Sequence, residues 1–438
     1  MKVALINPAW SFEGSIYFGC REPHLPLEYG YAKALLEADG HEALIVDGQL
    51  DGLSHEQIIA ATRSFVPDLA VVTTAPSYLF WRCAPPELRL PQQIVADLRD
   101  TVPRIVIVGP HASTTPTATL RKIGADAAVM GECEDILPRL AASFDGWSEI
   151  DSLCTWDGDT PVPRGGTHVT SMAALPALRW PDASIRKHRH HHHRFDAPAT
   201  GPGAEMETSR GCPYHCTFCA KDNFRNGYRK RPLPIILDEL DALCRQGLEY
   251  VYFIDEIFLP NRELLQALAQ RGIKIGVQTR IDLWNHELLD LLGAAGCVSI
   301  EAGVESISEH GRNLLDKNSR LSTEQITERL IYARERVPFV QANLIDASVD
   351  DPDAVERWRE DLQRHGVWAN KPVPLFPYPG SPDYAKRWGV PDEQAWERAL
   401  TYYLDHHVEF SDIQDERPLP LEQLERPALA RSASPHAH

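Results

Sequence analysis

The stretch Arg210-Gly211-Cys212-Pro213-Tyr214-His215-Cys216-Thr217-Phe218-Cys219 sets three cysteines in a C-x3-C-x2-C spacing. Scattered at random, the nine cysteines of this 438-residue chain would give roughly 0.004 such spacings. Three thiolates on one loop can hold three irons of a [4Fe-4S] cluster, because thiolate is the preferred cluster ligand. The fourth iron then stays open to another ligand, an arrangement suited to catalysis rather than to electron transfer. The other metal reading is a zinc site completed by His215 or by the run His188–His193, although zinc modules usually pair two C-x2-C units.

Working outward, the motif directly follows a short strand and opens a repeating pattern. Strands are predicted at Glu205–Ser209, Tyr250–Ile254, Lys274–Thr279, Val298–Ala302, Phe339–Ile345 and Val373–Tyr378. Helices fall between them, as at 234–245, 262–271 and 286–295. Six such units without a dinucleotide glycine fingerprint predict a partial (β/α)6 TIM-type barrel over residues 200–382. Its active-site residues should then lie at the carboxyl ends of the strands.

Upstream, residues 1–147 alternate in the same way. Val3–Ile6, Ala43–Val46, Leu69–Val72, Ile105–Val108 and Ala127–Met130 read as strands, with helices at 27–39, 55–65, 91–100 and 116–123. The pattern predicts an α/β domain with a doubly wound parallel sheet, Rossmann- or flavodoxin-like, that binds its ligand at the strand ends. Residues 148–199, rich in Pro, Gly and Asp, read as a linker with a small hairpin and a His-rich run. Residues 383–438 read as a C-terminal extension, disordered from Pro418 onward.

Composition excludes several classes. Lys plus Arg is 44 against 62 for Asp plus Glu, a net charge of −18, which disfavours a nucleic-acid partner. No apolar run approaches the ~20 residues that span a bilayer. The N-terminus, MKVALINPAW, reads as a first strand rather than a signal peptide, so a cytoplasmic protein with reduced cysteines is expected.

The motif, with Phe218 before its last cysteine and its place after a barrel's first strand, resembles the signature of radical S-adenosylmethionine (SAM) enzymes. The resemblance implies that Cys212, Cys216 and Cys219 hold the cluster and that SAM chelates the open iron. One electron then cleaves SAM to a 5′-deoxyadenosyl radical, which takes hydrogen from a substrate carbon. Asp255 and Glu256 end the second strand, where this family places groups that hold the SAM amine. Arg280 ends the third strand and faces SAM's carboxylate or a substrate anion. Glu301, Glu305 and Ser306 end the fourth, in a segment similar to the family's Gly-x-Glu-Ser. Where many relatives carry a Gly-x-Pro-Gly-Glu type turn, this chain has Asp346-Ala347-Ser348-Val349-Asp350-Asp351.

The first domain, in turn, resembles the cobalamin-binding domain found in front of many radical SAM barrels. Its candidate cofactor residues are Thr73, Thr74 and Ser77 after the third strand, Gly109, Pro110 and His111 after the fourth, and Gly131 and Glu132 after the fifth. Tyr78, Trp81 and Arg82 are candidates for the corrin's lower side. The Asp-x-His-x-x-Gly motif that supplies a lower cobalt ligand is absent, and His111 reads as a residue that structures its loop. A flavodoxin-like or nucleotide-binding unit is the competing reading.

Together these resemblances imply a cobalamin-dependent radical SAM enzyme that methylates a carbon of a small molecule in specialised or saccharide metabolism. It would draw electrons from an external one-electron donor such as flavodoxin or ferredoxin. The alternative keeps both cofactors but performs a rearrangement, cyclisation or oxidation. A cobalamin or redox sensor is a further alternative, and a peptide a further substrate. The basic residues Arg210, Lys221, Arg225, Arg229, Lys230 and Arg231 read either as a lure for an anionic substrate or as a solvated loop with salt bridges.

Overall fold

A computed structural model of the chain describes residues 1–10, 23–76, 83–187, 202–221, 225 and 227–407. The His-rich run and the C-terminal tail from residue 408 lie outside the described residues. Two compact units emerge. One draws on the residues before Glu22, on Ala32–Thr170 and on the chain from Phe376; the other comprises Glu22–Tyr31 and Ser171–Leu375.

The first unit is built on a seven-stranded sheet. Its strands are β1 (Lys2–Asn7), β2 (Glu42–Asp47), β3 (Leu69–Thr73), β4 (Arg104–Val108), β5 (Ala127–Val129), β6 (Leu153–Asp157) and β7 (Thr160–Arg164), in the order β2-β1-β3-β4-β5-β6-β7. The first five are parallel, with Leu5 opposite both Ile45 and Val71, and Ile107 opposite Ala128. Their β-branched and small apolar residues are almost wholly buried, as a sheet covered by helices on both faces requires. The strand order reverses between β1 and β3, and the carboxyl ends there form the ligand edge of such sheets.

The linker expected at 148–199 is partly sheet. β6 pairs antiparallel with β5 and with β7, so the hairpin extends the parallel core by two strands. The Gly and Asp residues that read as a linker are turn residues here. Gly158 takes φ +57° between the two strands, a conformation that favours glycine. The boundary expected at residue 382 also moves. The chain joins the first unit from Phe376, and helix Ala395–His407 puts Trp396 into that unit's apolar core. Its indole N–H donates to Thr115 Oγ1 at 2.8 Å. One aromatic residue thus ties a segment that reads as a free extension.

The second unit carries β8 (Gly203–Met206), β11 (Tyr250–Phe253), β12 (Lys274–Thr279), β13 (Cys297–Glu305), β14 (Phe339–Asp346) and β15 (Trp368–Ala369), all parallel, in the order β15-β14-β13-β12-β11-β8. A small antiparallel pair, β9 (Ser209–Arg210) with β10 (Arg229–Lys230), brackets the cysteine motif. Six parallel strands in chain order with helices between them give the expected partial barrel. The sixth strand differs from the sequence reading. It lies at Trp368–Ala369, and only Val373–Pro374 (β16) of the predicted 373–378 pairs, with β14. Pro374, Pro377 and Pro379 have no N–H to give to a ladder.

Candidate functional site

The three motif cysteines sit in the loop that follows β9. All three are half-buried, and none is in a disulfide. Gly211 enters the loop at φ +79°, and a Cβ there would lie 2.1 Å from the carbonyl oxygen of Gly227. The close approach of the two loop arms therefore demands glycine. The Thr217 N–H donates to Leu315 O at 3.0 Å, and that of Cys219 to Cys216 O at 3.2 Å. Phe218 is half-buried beside them. Burial pushes the Cys216 thiol up to about 11, with the Lys317 ammonium pulling the other way. A cation must displace the proton before this sulfur can serve as a thiolate.

Among the described residues, no three His, Cys, Asp or Glu side chains converge to hold a single metal ion.

Two acidic residues expected near SAM hold the cysteine loop instead. Asp255 is buried and accepts from the Thr208 N–H at 2.7 Å, from Ser209 Oγ at 2.6 Å and from the Thr208 hydroxyl. Burial raises its carboxyl to about 7 despite these bonds. Glu256 accepts from the Gly211 N–H at 2.8 Å and pairs with Arg225.

Arg280, at the end of β12, pairs with Asp282 at 2.7 Å and lies 4.0 Å from the centre of the Tyr214 ring, inside the cysteine loop. It is 5% exposed, and its Nη1 has no hydrogen-bond partner among the described residues. A buried guanidinium nitrogen without an acceptor is costly, so it marks a place for an anionic oxygen.

β13 presents its residues in two ways. Glu301 is half-buried and stands in register with Gln278 and Gln341. Glu305 takes φ +67° and accepts from Lys317 Nζ at 2.8 Å. Ser306 Oγ donates to Asp350 Oδ1 at 2.9 Å, and the Ile307 N–H donates to Asp350 Oδ2 at 3.0 Å. The loop that departs from the Gly-x-Pro-Gly-Glu turn thus clasps the β13 loop through Asp350.

In the first unit, the candidate residues line up at the carboxyl ends of β3, β4 and β5, but their side chains face inward. Thr73 Oγ1 donates to Ala75 O at 2.8 Å. His111 is fully buried, with Nδ1 3.1 Å from Thr74 Oγ1 and Nε2 2.8 Å from Pro85 O. Its ring sits 4.2 Å from that of Trp396, and burial pushes its pKa down to about 3. With both nitrogens engaged it structures the loop and is not placed to bind a metal. Gly109 takes φ +127°, and a Cβ there would lie 2.4 Å from Thr74 Oγ1; Pro110 starts the short helix after it. A Cβ on Gly131, at φ +96°, would lie 2.3 Å from His168 O. Glu132 accepts from the Thr170 N–H at 2.8 Å. These ends offer a large ligand a smooth edge of small residues rather than a donor to its metal. Ser77, Tyr78, Trp81 and Arg82 lie outside the described residues.

The basic stretch is largely spoken for. Arg210 pairs with Glu207 at 2.8 Å, Arg231 with Glu239 at 2.7 Å, and Arg225 with Glu256, all buried. Tyr31 lies under both guanidiniums, 5.5 Å from Arg210 and 5.2 Å from Arg231. Sequence reasoning missed this sandwich and the partners Asp282, Lys317 and Asp350. Only the Arg280-x-Asp282 spacing offered a local signal.

The family model of the Radical SAM superfamily matches residues 206–355, and that of the B12 binding domain matches residues 21–141. The chain is 23% identical to a Pyrococcus horikoshii protein named as an uncharacterized methyltransferase, over 70% of this chain and 66% of that one. It is 25% identical to the anaerobic magnesium-protoporphyrin IX monomethyl ester cyclase of Cereibacter sphaeroides, over 86% of this chain and 63% of that one. The chain therefore spans somewhat less than two thirds of the length of these relatives. Among solved structures, the radical SAM methyltransferase TsrM of Kitasatospora setae, with tryptophan and a SAM analogue bound, superposes with a TM-score of 0.70 at 19% identity. That match covers 88% of this chain and 76% of TsrM and shows a shared fold.

Proposed function

We propose, from the premise that this chain belongs to the radical SAM superfamily and carries a B12-binding domain, that it is a cobalamin-dependent radical SAM enzyme that methylates a carbon of a small molecule. The observation that carries the reading is the buried, unpartnered Nη1 of Arg280 beside Tyr214 of the cysteine loop. It supplies a charged donor for the SAM carboxylate beside the cysteine loop.

When bound, the cluster and cobalamin supply the one-electron cleavage of SAM and the methyl group, respectively. The chain's own part is to place and shield. Cys212, Cys216 and Cys219 hold the cluster, and Glu256 and Asp255 anchor the two ends of the segment that leads into it. Arg280, oriented by Asp282, holds SAM's carboxylate. Glu305 with Lys317, and Ser306 with Asp350, shape the neighbouring strand end. In the first unit, Thr73, Thr74, Gly109, Pro110, His111, Gly131 and Glu132 form the edge that receives cobalamin. An external one-electron donor completes the reaction.

The test uses protein reconstituted without oxygen with iron, sulfide, cobalamin and SAM carrying a labelled methyl group. Label on cobalamin, with S-adenosylhomocysteine and 5′-deoxyadenosine, is expected. A second reading, ring formation without methyl transfer, is favoured by the relative named as a cyclase. Bound but unlabelled cobalamin with 5′-deoxyadenosine still formed would select it.

A further inference from the structure

Lys317 is 2% exposed, and its Nζ donates to Glu305 Oε1 at 2.8 Å. Lysine is rarely buried unless its charge is answered, so its place here is a built feature of the fold. The backbone is arranged to keep it there. The Lys317 N–H donates to Arg312 O at 2.9 Å, and the Arg312 guanidinium donates in turn to the carbonyls of Ser306 and Ile307, each at 3.0 Å. The neighbours Asp316 and Asn318 both take positive φ, +49° and +53°, and the Asn318 amide donates to Asp316 Oδ1 at 2.6 Å. Asp and Asn are the non-glycine residues that best tolerate this left-handed conformation, so the order Asp-Lys-Asn suits a chain that must bury the lysine between them. Such residues carry strain that persists where the surroundings enforce it, commonly at functional sites. On the strand, a Cβ on Gly303 would lie 2.5 Å from Glu305 Oε1 and 3.4 Å from Lys317 Nζ, so β13 gives up a side chain where the ion pair sits.

The same segment is fastened to the cysteine loop. Leu315, two residues before Lys317, accepts from the N–H of Thr217, which directly follows Cys216, at 3.0 Å. Of the charges acting on the Cys216 sulfur, the Lys317 ammonium is the strongest, ahead of Glu305 and Arg280. The ion pair is neutral as a whole, but at this sulfur its positive end outweighs its negative end.

We propose that Lys317 sets the reduction potential of the cluster held by the three cysteines, as a buried cation fixed beside Cys216 that makes the cluster easier to reduce. The inference rests on the cluster reading above. Reduction moves one electron from the external donor to the cluster and leaves the cluster one charge more negative, with no bond made or broken and no proton moved. A fixed positive charge beside a ligand sulfur stabilises that product over the starting state, and burial strengthens the effect. Glu305 holds the ammonium in place and partly offsets it. Lys317 is thus a positioning residue that acts through the cluster and its Cys216 sulfur, not on SAM or substrate.

The test is a redox titration of protein reconstituted with iron, sulfide and cobalamin, without SAM, followed by the electron paramagnetic resonance of the reduced cluster. Lys317→Met should hold as much iron and sulfide as wild type and show a midpoint lower by about 59 mV or more, which is a 10-fold change in the one-electron equilibrium. Glu305→Gln should move the midpoint upward, and Lys317→Arg, which keeps the charge, should stay near wild type. An unchanged midpoint in Lys317→Met, or one that does not rise in Glu305→Gln, would overturn the assignment. If Lys317→Met holds no cluster, Glu305→Gln decides by the same criterion; loss of the cluster from both would make the pair a scaffold of the loop and overturn the assignment as well. A wild type that assembles no cluster would instead overturn the radical SAM reading, and this inference with it.

Discussion

The strand ends of the two units use the same architecture for opposite purposes. At the ends of β3, β4 and β5 the described candidate side chains are bonded to neighbouring protein groups: His111 to Thr74 and to Pro85 O through its two nitrogens, Thr73 to Ala75 O, Glu132 to the Thr170 N–H. Past β9 and β12 the second unit instead presents three half-buried thiols outside any disulfide and a guanidinium nitrogen without a hydrogen-bond partner among the described residues. The first edge can offer a ligand shape. The second can offer bonds. A cofactor that brings its own chemistry asks for the former, and one assembled on the protein asks for the latter.

The sharpest way to break this contrast is to remove one thiol. Cys216→Ala should abolish the cluster's absorbance and bring 5′-deoxyadenosine to background, while cobalamin is still retained by the same protein. Loss of both together would mean that the two edges are not independent. Next in size is Arg280→Met, which deletes the unfinished donor but keeps much of the stem. It should raise the KM for SAM about 10- to 100-fold, the range for a lost charge-assisted hydrogen bond. Asp282→Asn should give a smaller change in the same direction, since it only orients Arg280.

For the first unit the contrast predicts a stability effect without a spectroscopic one. His111→Phe should cost about 2–3 kcal/mol through two lost buried hydrogen bonds and leave the visible spectrum of bound cobalamin unchanged. The wild type also carries a pH signature that the variant lacks. The folded state holds the imidazole neutral down to about 3, while the unfolded chain takes up a proton near 6.5. The unfolded state therefore binds more protons in that window, and stability falls as pH drops through it, by about 5 kcal/mol over the whole span. Asp47, raised by burial to about 7, titrates with the opposite sign in the same unit. The difference between wild type and His111→Phe, measured by melting at pH 7 and pH 5, isolates the imidazole. The smallest effect is expected from Asp350→Ala, about 1–2 kcal/mol from the loosened 306–308 loop, read by hydrogen exchange there.

Much of this was legible in advance because it is local. Apolar runs such as Val3–Ile6 and Ile105–Val108 must be covered on both faces, so strand and layer follow from composition. The cysteine spacing is a covalent fact of the chain, and it marked the second site before any fold was known. The residues that act through distant partners were not legible. Asp255 and Glu256 stood at the predicted strand end, but that their oxygens meet Thr208, Ser209 and Gly211 depends on contacts across about 45 residues. The basic stretch left a lure for an anion and a salt-bridged loop both open, because its partners Glu239 and Glu256 come from other elements.

The sequence alone determined the two α/β units, the cysteine loop and the strand ends at which ligands are expected, because hydrophobic periodicity and motif spacing are properties of neighbours along the chain. Only the tertiary structure decided that Trp396 enters the first unit's core, that Arg210, Arg225 and Arg231 pair with buried carboxylates, and that Arg280 Nη1 has no hydrogen-bond partner among the described residues. Whether a polar group is satisfied depends on which atoms arrive beside it when the chain is packed, and no spacing along the sequence encodes that.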